Sequence, residues 1–444
     1  MKLTNLIFKD FSFNAKKRIK KNLTSKLSQN FLLIFIQIFY PSAMIAIYGL
    51  ENFGIWLFLI ALPSIFSVIN FNVNAAAQTE MSICFNKKNN NKLFKIFTNT
   101  LFITIFLILL IIFISIILIN LNLINFKILS KFSRIEKNLI LFFIFSSFIL
   151  NFFNSIFKCS LNFKGNISLD SYLETVYDAL GKIAILISGF FYNSILIASI
   201  FLFCSVVLKV ITYYILFLVL IKEKLFNYKS VSFLEIKRLF RISIAYYLET
   251  FSSLVKENFQ LIIIGIFFNA EIIGIVGTLK TLFYFLPMRI WNIFQSILNY
   301  EIISFYTKKK YLALKKNFKK FLYFYLFNTS IFFLCVLTIG KYIYNLWIHN
   351  SHQIDTITIF LISLDVSVLL LSSNLKFVGK SINKFTHMSV FSLIIFISIL
   401  IIAYFLFKED YSYLTIFILN IIGSIFTSFF NYFNLIKLFN KIKN

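Results

Sequence analysis

Charged side chains inside long apolar runs are the residues of this chain most suited to binding a ligand or moving a proton. The clearest pattern is Asp170, Glu174, Asp178 and Lys182, each four residues after the last and therefore on one face of a helix. If such runs span a bilayer, a charge near its centre costs about 2.5 to 3.5 kcal/mol even on the most lenient scale. We therefore expect this ladder to face a hydrated interior, with Asp178 and Lys182 paired and Glu174 left as a carboxylate. A structural ladder at the membrane interface is the alternative.

A second set of charges lies in later apolar runs. At 1.5 Å per residue, Lys256 and Lys280 both fall near the middle of their runs, and Arg289 lies further along the second one. Cations at that depth suit an anionic ligand, whereas static pairs with acids such as Glu249 and Asp365 are the alternative interpretation.

Amide side chains extend these polar faces, and a buried carboxylate can titrate or bind a cation. The candidate substrate-binding residues are therefore Lys256, Lys280, Arg289, Lys182, Lys209, Asn70, Asn74 and Asn292. The candidate ion-coupling residues are Glu174, Asp178, Glu249 and Asp365.

Enzyme chemistry has no recognisable motif in this sequence. The three histidines lack metal-ligand spacing, the four cysteines are scattered without a CxxC pair, and nucleotide-binding or hydrolase motifs are missing. We expect no catalytic residue, no metal site and no cofactor. The excess of 44 Lys and Arg over 17 Asp and Glu does not indicate nucleic acid, because the placement of charges between apolar runs matters more than their sum.

Apolar segments dominate the chain, at 59% hydrophobic residues and a mean hydropathy of +0.85. Since a helix needs about 20 residues to cross a bilayer, twelve spans are predicted. They are 30–48, 55–78, 97–120, 138–158, 168–191, 195–220, 244–268, 272–300, 321–345, 355–375, 388–407 and 413–436. The predicted units are a basic N-terminal segment 1–29, an N-lobe 30–221, a basic linker 222–242, a C-lobe 243–436 and a tail 437–444.

Loop charges predict the orientation. Almost all loop lysines and arginines fall on the side that holds both termini, which the positive-inside rule places in the cytoplasm. The three prolines all lie within predicted spans, where they indicate either a bent, cavity-lining helix or an ordinary packing kink.

The stretch 51–88 returns in degraded form at 271–310. Each copy has an acidic residue and a glycine in a tight turn, an apolar span with a proline, a second acidic residue and a basic loop. Gly54 corresponds to Gly274 in this repeat. The repeat predicts two similar helical halves, with the function located where they meet.

The first copy of the repeat reads ENFGIWLFLIALPSIFSVINFNVNAAAQTEMSICFNKKNN. This sequence resembles the polysaccharide flippases of the multidrug/oligosaccharidyl-lipid/polysaccharide exporter superfamily. The O-antigen (Wzx-type) translocases are the most similar group. The second span reads NFNVN from Asn70 to Asn74, where the family more often has an Asp-Phe-Gly-Leu-Gly-like run. The resemblance implies two six-helix lobes around a V-shaped cavity and alternating access of an undecaprenyl-pyrophosphate-linked oligosaccharide. It implies no catalytic residue.

Together these observations predict an all-α polytopic membrane protein with about twelve helices in two pseudo-symmetric, MATE-like lobes around a central cavity. The expected function is a flippase for lipid-linked oligosaccharide in the bacterial cytoplasmic membrane, coupled to H⁺ or Na⁺. Expected partners are membrane lipids and the polymerase and glycosyltransferases of the same pathway, and not nucleic acid. A MATE-like exporter of small organic cations and a membrane polysaccharide polymerase are the alternative functions.

Overall fold

A computed structural model provides the coordinates of the chain. The structure describes residues 13–68, 73–86, 89–120, 127–162, 167–220, 231–292, 295, 302, 311–348, 354–381 and 385–443. Among the sequence predictions, Asn70 and residues 222–230 of the basic linker lie outside these residues.

Long helices form the N-terminal half. In chain order they are α1 Phe13–Ala61, α2 Val73–Asn86, α3 Asn90–Asn120, α4 Arg134–Asn162, α5 Ile167–Tyr192 and α6 Ile195–Leu220. A 3₁₀ segment, Leu62–Val68, follows α1, and a shorter one, Lys127–Leu129, precedes α4. The apolar composition of these segments accounts for the helices, because only a helix satisfies its own backbone polar groups within a bilayer.

The C-terminal half is built in the same way, with two interruptions of π type. Its helices are α7 Phe233–Leu254, α8 Gln260–Phe267, α9 Ala270–Leu279, α10 Tyr311–Trp347, α11 Thr356–Ser381, α12 Thr386–Lys408 and α13 Thr415–Lys443. The π segment Val255–Phe259 joins α7 to α8, and the π segment Lys280–Phe285 continues α9.

Ten helical segments of the described residues are long and apolar enough to cross a membrane. The first, Leu32–Phe66, covers most of the first predicted span and the start of the second, 55–78, and it is kinked at Gly49. The predicted span 244–268 is helical as far as Phe267 but is not among the ten, and Glu249, Lys256 and Glu257 interrupt its apolar run. An all-α polytopic membrane fold is therefore confirmed.

Breaks in the helices follow from particular residues. Gly49 has φ +80° and ψ 162°, a conformation that side chains with a Cβ rarely adopt, so the chain turns there without a loop. Pro63 lies at the start of the 3₁₀ segment after α1, where its missing N–H ends the α-helical hydrogen bonding. Pro287 lies two residues after the end of the second π segment.

Equivalent helices of the two halves make equivalent contacts. In the N-terminal half α4 packs along α6, and in the C-terminal half α11 packs along α13. These are the fourth and sixth spans of each predicted lobe. The outer surface is rich in exposed phenylalanine, leucine and isoleucine, as on α10, which suits contact with lipid.

Candidate functional site

An ion pair between Lys256 and Asp365 lies buried in the C-terminal half. The Lys256 Nζ is 3.1 Å from Asp365 Oδ1, and the two side chains are only 4% and 5% exposed. Lys256 also lies 3.4 Å from the Ser424 hydroxyl and over the rings of Tyr284 and Phe396. The pair brings together a predicted substrate-binding residue on the first π segment and a predicted ion-coupling residue on α11.

Lys280 lies next to this pair but is held by neutral acceptors. Its ammonium donates to the Lys256 carbonyl at 3.2 Å, to the Glu257 carbonyl at 3.5 Å and to Gln260 Oε1 at 3.0 Å. The Gln260 amide is in turn paired with Asn420 of α13. Both lysines thus lie on π segments, a departure from α geometry that is frequent at functional sites.

A cavity of about 410 Å³ lies inside the C-terminal half, and Lys256 forms part of its wall. Three lysines line it, Lys256, Lys376 and Lys380, together with the carboxylates of Glu249 and Glu257. The hydroxyl residues of the wall are Thr250, Ser252, Ser253, Ser372, Ser373 and Ser392. The predicted residue Asn292 lines it as well. The combination of cations, hydroxyls and amides can bind an anionic, hydroxylated ligand.

Glu249 occupies the end of this cavity that is far from Lys256. One of its oxygens accepts from Lys376 Nζ and from the Ser389 hydroxyl at 3.0 Å, and the other lies 3.6 Å from Lys380 Nζ. The predicted span 355–375 stops short of both lysines, whereas α11 continues to Ser381. The signal was present, because Asp365, Ser372, Lys376 and Lys380 follow a helical spacing.

The charges of α5 do not pair as the sequence predicted. Asp178 lies 3.3 Å from Lys209 of α6, and the ion pair along the helix with Lys182 is replaced by this contact. Lys182 instead lies over the Tyr40 ring of α1, 5.4 Å from its centroid. Glu174, expected as a free carboxylate, lies 2.7 Å from Lys158 of α4. Contacts between neighbouring helices therefore take precedence over contacts along one helix.

The two remaining predicted site residues are Asn74, in the N-terminal half, and Arg289, in the C-terminal half. Asn74 hydrogen-bonds Ser155 and Thr104 within the N-terminal half, so its amide links helices there. Arg289 is half-buried, and its guanidinium lies within electrostatic range of Asp178 and Lys182 in the other half. Arg289 thus marks the junction between the halves.

The position of the cavity differs from the expectation. The sequence predicted a chamber between the lobes, whereas the cavity that brings Lys256, Asn292 and Glu249 together lies within the C-terminal half. The predicted charges form two groups, one around this cavity and one at the junction, where Arg289 approaches Asp178 and Lys182.

No protein-family model and no curated protein matches this sequence. Solved structures do match its fold. An inward-facing multidrug resistance MATE family transporter of the MOP superfamily is 10% identical, with a TM-score of 0.63 over 95% of this chain and 99% of that one. The Vibrio cholerae MATE transporter VcmN in its bent form is 12% identical, with a TM-score of 0.60 over 95% and 98%.

A third match is a MOP superfamily transporter from Pyrococcus furiosus, described as having a binding pocket of reverse polarity. It is 13% identical, with a TM-score of 0.56 over 95% of this chain and 94% of that one. The chain has the MATE fold. The structures that share the fold are transporters and not enzymes, and at these identities the likeness concerns the fold and not the cargo.

The two copies of the repeat meet at the junction of the MATE-fold lobes. Gly54 of α1 contacts Ala270 and Gly274 of α9 so closely that a Cβ on Gly54 would lie 1.7 Å from the Ala270 carbonyl oxygen. A Cβ on Gly274 would lie 2.7 Å from the Leu50 carbonyl oxygen. Small residues allow backbones to approach in this way, so the repeated glycine is explained by contact between the lobes.

A second contact between the lobes joins α2 to α7, at the end opposite the glycine contact. Arg238 of α7 is 2.7 Å from Glu80 of α2 and 2.6 Å from Glu235 of its own helix. The hydrogen bond to Glu235 raises the pKa of the Arg238 guanidinium, so this contact stays charged at physiological pH. The Ser232 amide donates to Asn99 Oδ1 of α3 at 2.8 Å beside it. The MATE-fold lobes are thus joined by glycine packing at one end and by charge at the other.

Proposed function

We propose that this protein is a flippase for lipid-linked oligosaccharide in the bacterial cytoplasmic membrane, with both termini in the cytoplasm. The pyrophosphate and sugars of the cargo enter the cavity of the C-lobe while the polyprenyl tail stays in lipid. The observation that carries the proposal is the wall of that cavity, which combines three lysines with six serine and threonine hydroxyls.

Lysine ammonium groups account for the recognition of pyrophosphate. Lys376 and Lys380 share Glu249 at one end of the cavity, and Lys256 lies at the other end beside Asp365. Charge-assisted hydrogen bonds from lysine to phosphate oxygens are about twice as strong as neutral ones. They offset part of the cost of removing the pyrophosphate from water.

Hydroxyl and amide side chains account for the sugars. They line the cavity between the two groups of lysines, and sugar hydroxyls can both donate to and accept from them. A volume of about 410 Å³ lies within the usual range of about 300 to 1,000 Å³ for ligand sites. It accommodates part of an oligosaccharide, so the rest of the sugar chain extends toward the junction where Arg289 lies.

The MATE fold supports movement of this cargo by alternating access. In this scheme the contact of Gly54 with Gly274 closes the non-cytoplasmic end, and the contact of Arg238 with Glu80 closes the cytoplasmic end. Both contacts are formed in this structure, so alternating access requires each of them to open in turn. The predicted ion-coupling residues Glu174 and Asp178 belong to the N-lobe, and Glu249 and Asp365 belong to the C-lobe.

The cavity lysines provide the test of this proposal. A Lys376→Gln/Lys380→Gln double variant is expected to lower surface-glycan export at least tenfold in a strain that lacks its own flippase, because glutamine keeps a polar side chain but removes the charge. Export is measured by labelling the surface glycan, and membrane abundance by immunoblotting.

The matched control is Lys408→Gln, which removes an exposed lysine at the end of α12 and is expected to export at the level of the unmodified protein. Equal export by the double variant and the control would contradict a role of these lysines in cargo binding.

A second function is favoured by one feature of the same cavity. The Glu257 carboxylate lines it within electrostatic range of Lys256 and Lys280, and the rings of Tyr284 and Phe396 line it as well. Carboxylates and aromatic rings suit an organic cation, as in a MATE-like drug exporter. Drug resistance that depends on Glu257 and is indifferent to Lys376 and Lys380 would favour the exporter over the flippase.

A further inference from the structure

A second cavity, of about 350 Å³, lies between the first turn of α12 and the last turns of α13. None of the residues predicted to bind cargo or ions lines it. Four of its wall residues can donate hydrogen bonds to an anion, through a hydroxyl, an imidazole, an amide and an ammonium group. They are Thr386, His387, Asn434 and Lys437. The wall therefore suits a ligand with acceptor oxygens.

The position of this cavity is at the ends of two membrane spans. The span of α12 begins at Thr386, and the span of α13 ends at Asn440. One turn deeper than the polar wall residues, Phe391 of α12 and Phe430 of α13 stack with their ring centroids 4.0 Å apart. The polar groups therefore lie at the depth of lipid head groups, with an aromatic pair between them and the centre of the bilayer.

The charges around the cavity are almost all positive. After α11 the chain has five lysines and only two acids, and both acids, Glu409 and Asp410, follow the far end of α12. Glu249 reaches the first turns of α12 but is already paired with Lys376 and Lys380. Basic pockets between membrane helices attract the head groups of anionic lipids.

Apolar side chains complete the wall and distinguish a lipid from a soluble phosphate. They belong to Phe385, Met388 and Leu438, which are buried at the same end of the two helices. Free phosphate would leave this surface without a partner, whereas the glycerol and first methylene groups of a phospholipid would cover it. Charge and apolar surface together therefore favour a phospholipid.

The first turn of α12 connects this cavity with the cavity proposed for the cargo. Phe385 lines the former, and its ring centroid is 6.0 Å from the Nζ of Lys376, which lines the latter. The Ser389 amide donates to the Phe385 carbonyl at 3.0 Å, and the Ser389 hydroxyl donates to Glu249 at 3.0 Å. A head group bound against Phe385 would hold this turn, and with it the contacts of Glu249, in place.

We propose that the cavity between α12 and α13 binds the head group of an anionic phospholipid, and that the bound lipid maintains the contacts of Glu249 in the cargo cavity. The lipid phosphate accepts hydrogen bonds from His387 and Lys437, and the acyl chains extend past Met388 and Leu438 into the bilayer. The lipid belongs to the leaflet on the side of the C-terminus. Its binding is independent of the cargo, whereas its effect on transport rests on the proposed function.

Lipid binding to the purified full-length protein tests the proposal. Native mass spectrometry in a non-ionic detergent counts the lipids retained during titration with phosphatidylglycerol or, separately, with phosphatidylcholine. The unmodified protein is expected to bind one phosphatidylglycerol with a clear preference over phosphatidylcholine. His387→Gln/Lys437→Gln is expected to weaken that site by about fivefold or more, since each basic residue near an anionic head group contributes about that factor.

The matched control is Lys341→Gln/Lys408→Gln, which removes two exposed lysines near the other end of the C-lobe and is expected to bind phosphatidylglycerol normally. Equal affinity of the two double variants overturns the proposal. Equal retention of phosphatidylcholine by the unmodified protein also overturns it, and so does displacement of the lipid by glycerol 3-phosphate, which would indicate a site for soluble phosphates.

Photocrosslinking of the unmodified protein gives a second reading that needs no variant. A photoactivatable phosphatidylglycerol is expected to label the first turn of α12 and the last turns of α13. Labelling of these turns by a photoactivatable polyprenyl pyrophosphate, with none by phosphatidylglycerol, would assign the cavity to the cargo and overturn the proposal.

Transport measurements separate this inference from the proposed function. In liposomes of phosphatidylethanolamine and phosphatidylcholine, addition of phosphatidylglycerol is expected to raise the rate of saccharide movement by about fivefold or more for the unmodified protein, but not for His387→Gln/Lys437→Gln. An equal response of both proteins contradicts the effect on the cargo cavity. Transport without a phosphatidylglycerol site overturns the inference and leaves the flippase intact, whereas a phosphatidylglycerol site in a protein that moves no saccharide supports the lipid site and removes the flippase.

Discussion

A Gly54→Leu variant is expected to lose glycan export completely, to the level of the strain without a flippase. Even the first carbon of a side chain at this position would lie 1.7 Å from the Ala270 carbonyl oxygen, far inside the contact distance of two atoms. The backbones of α1 and α9 would have to separate, and the lobes could no longer close at that end. Export is measured by surface labelling, and membrane abundance by immunoblotting.

Gly340→Ala is the matched control for this substitution. Its Cβ would first meet a methyl group of Val336 at 3.1 Å, a side-chain atom that can shift. We expect export close to that of the unmodified protein. Normal export by Gly54→Leu at normal abundance would show that the glycine contact is not a gate.

Removal of Lys256 has the second large expected effect, and it acts on stability and on function separately. Lys256→Ala leaves Asp365 buried without its cation, which is expected to destabilise the protein by about 3 to 5 kcal/mol. The double variant Lys256→Met/Asp365→Leu replaces the pair with apolar side chains of similar size, and such replacements are often neutral or stabilising.

The expected pattern is a low unfolding temperature for the single variant, a restored one for the double variant, and loss of export in both. Thermal unfolding is followed by tryptophan fluorescence of the purified protein in detergent. Restored export in the double variant would assign Lys256 a purely structural role and remove it from the cargo site.

The membrane fold could be predicted from the sequence because hydropathy and loop charge depend only on local composition. The repeat that contains Gly54 and Gly274 predicted two similar halves that meet, but it placed each glycine in a tight turn, whereas both lie within helices and pack against each other. The ends of the helices could be predicted less accurately from the sequence. The apolar run of α11 stops near residue 375, but its backbone hydrogen bonding continues to Ser381 and carries Lys376 and Lys380 into the site.

The arrangement of the site depends on how each helix is rotated against its neighbours, which a single sequence does not encode locally. Asp178 has a lysine four residues along its own helix, yet it pairs with Lys209 of α6, because that helix packs against α5. The π segments that carry Lys256 and Lys280 have no sequence signature, and they set the directions of both side chains. For these reasons the sequence predicted the residue types of the cavity but not its location within the C-lobe.

Transport of a lipid-linked saccharide by the purified protein tests the central claim most directly. The protein is reconstituted in liposomes of phosphatidylethanolamine and phosphatidylglycerol with a fluorescent polyprenyl-pyrophosphate oligosaccharide, and movement between leaflets is followed by quenching from outside. The flippase proposal predicts translocation that requires the protein, is inhibited by inorganic pyrophosphate and is lost in Lys376→Gln/Lys380→Gln. Liposomes in which the protein moves a fluorescent organic cation but leaves the saccharide in its original leaflet would contradict the proposal.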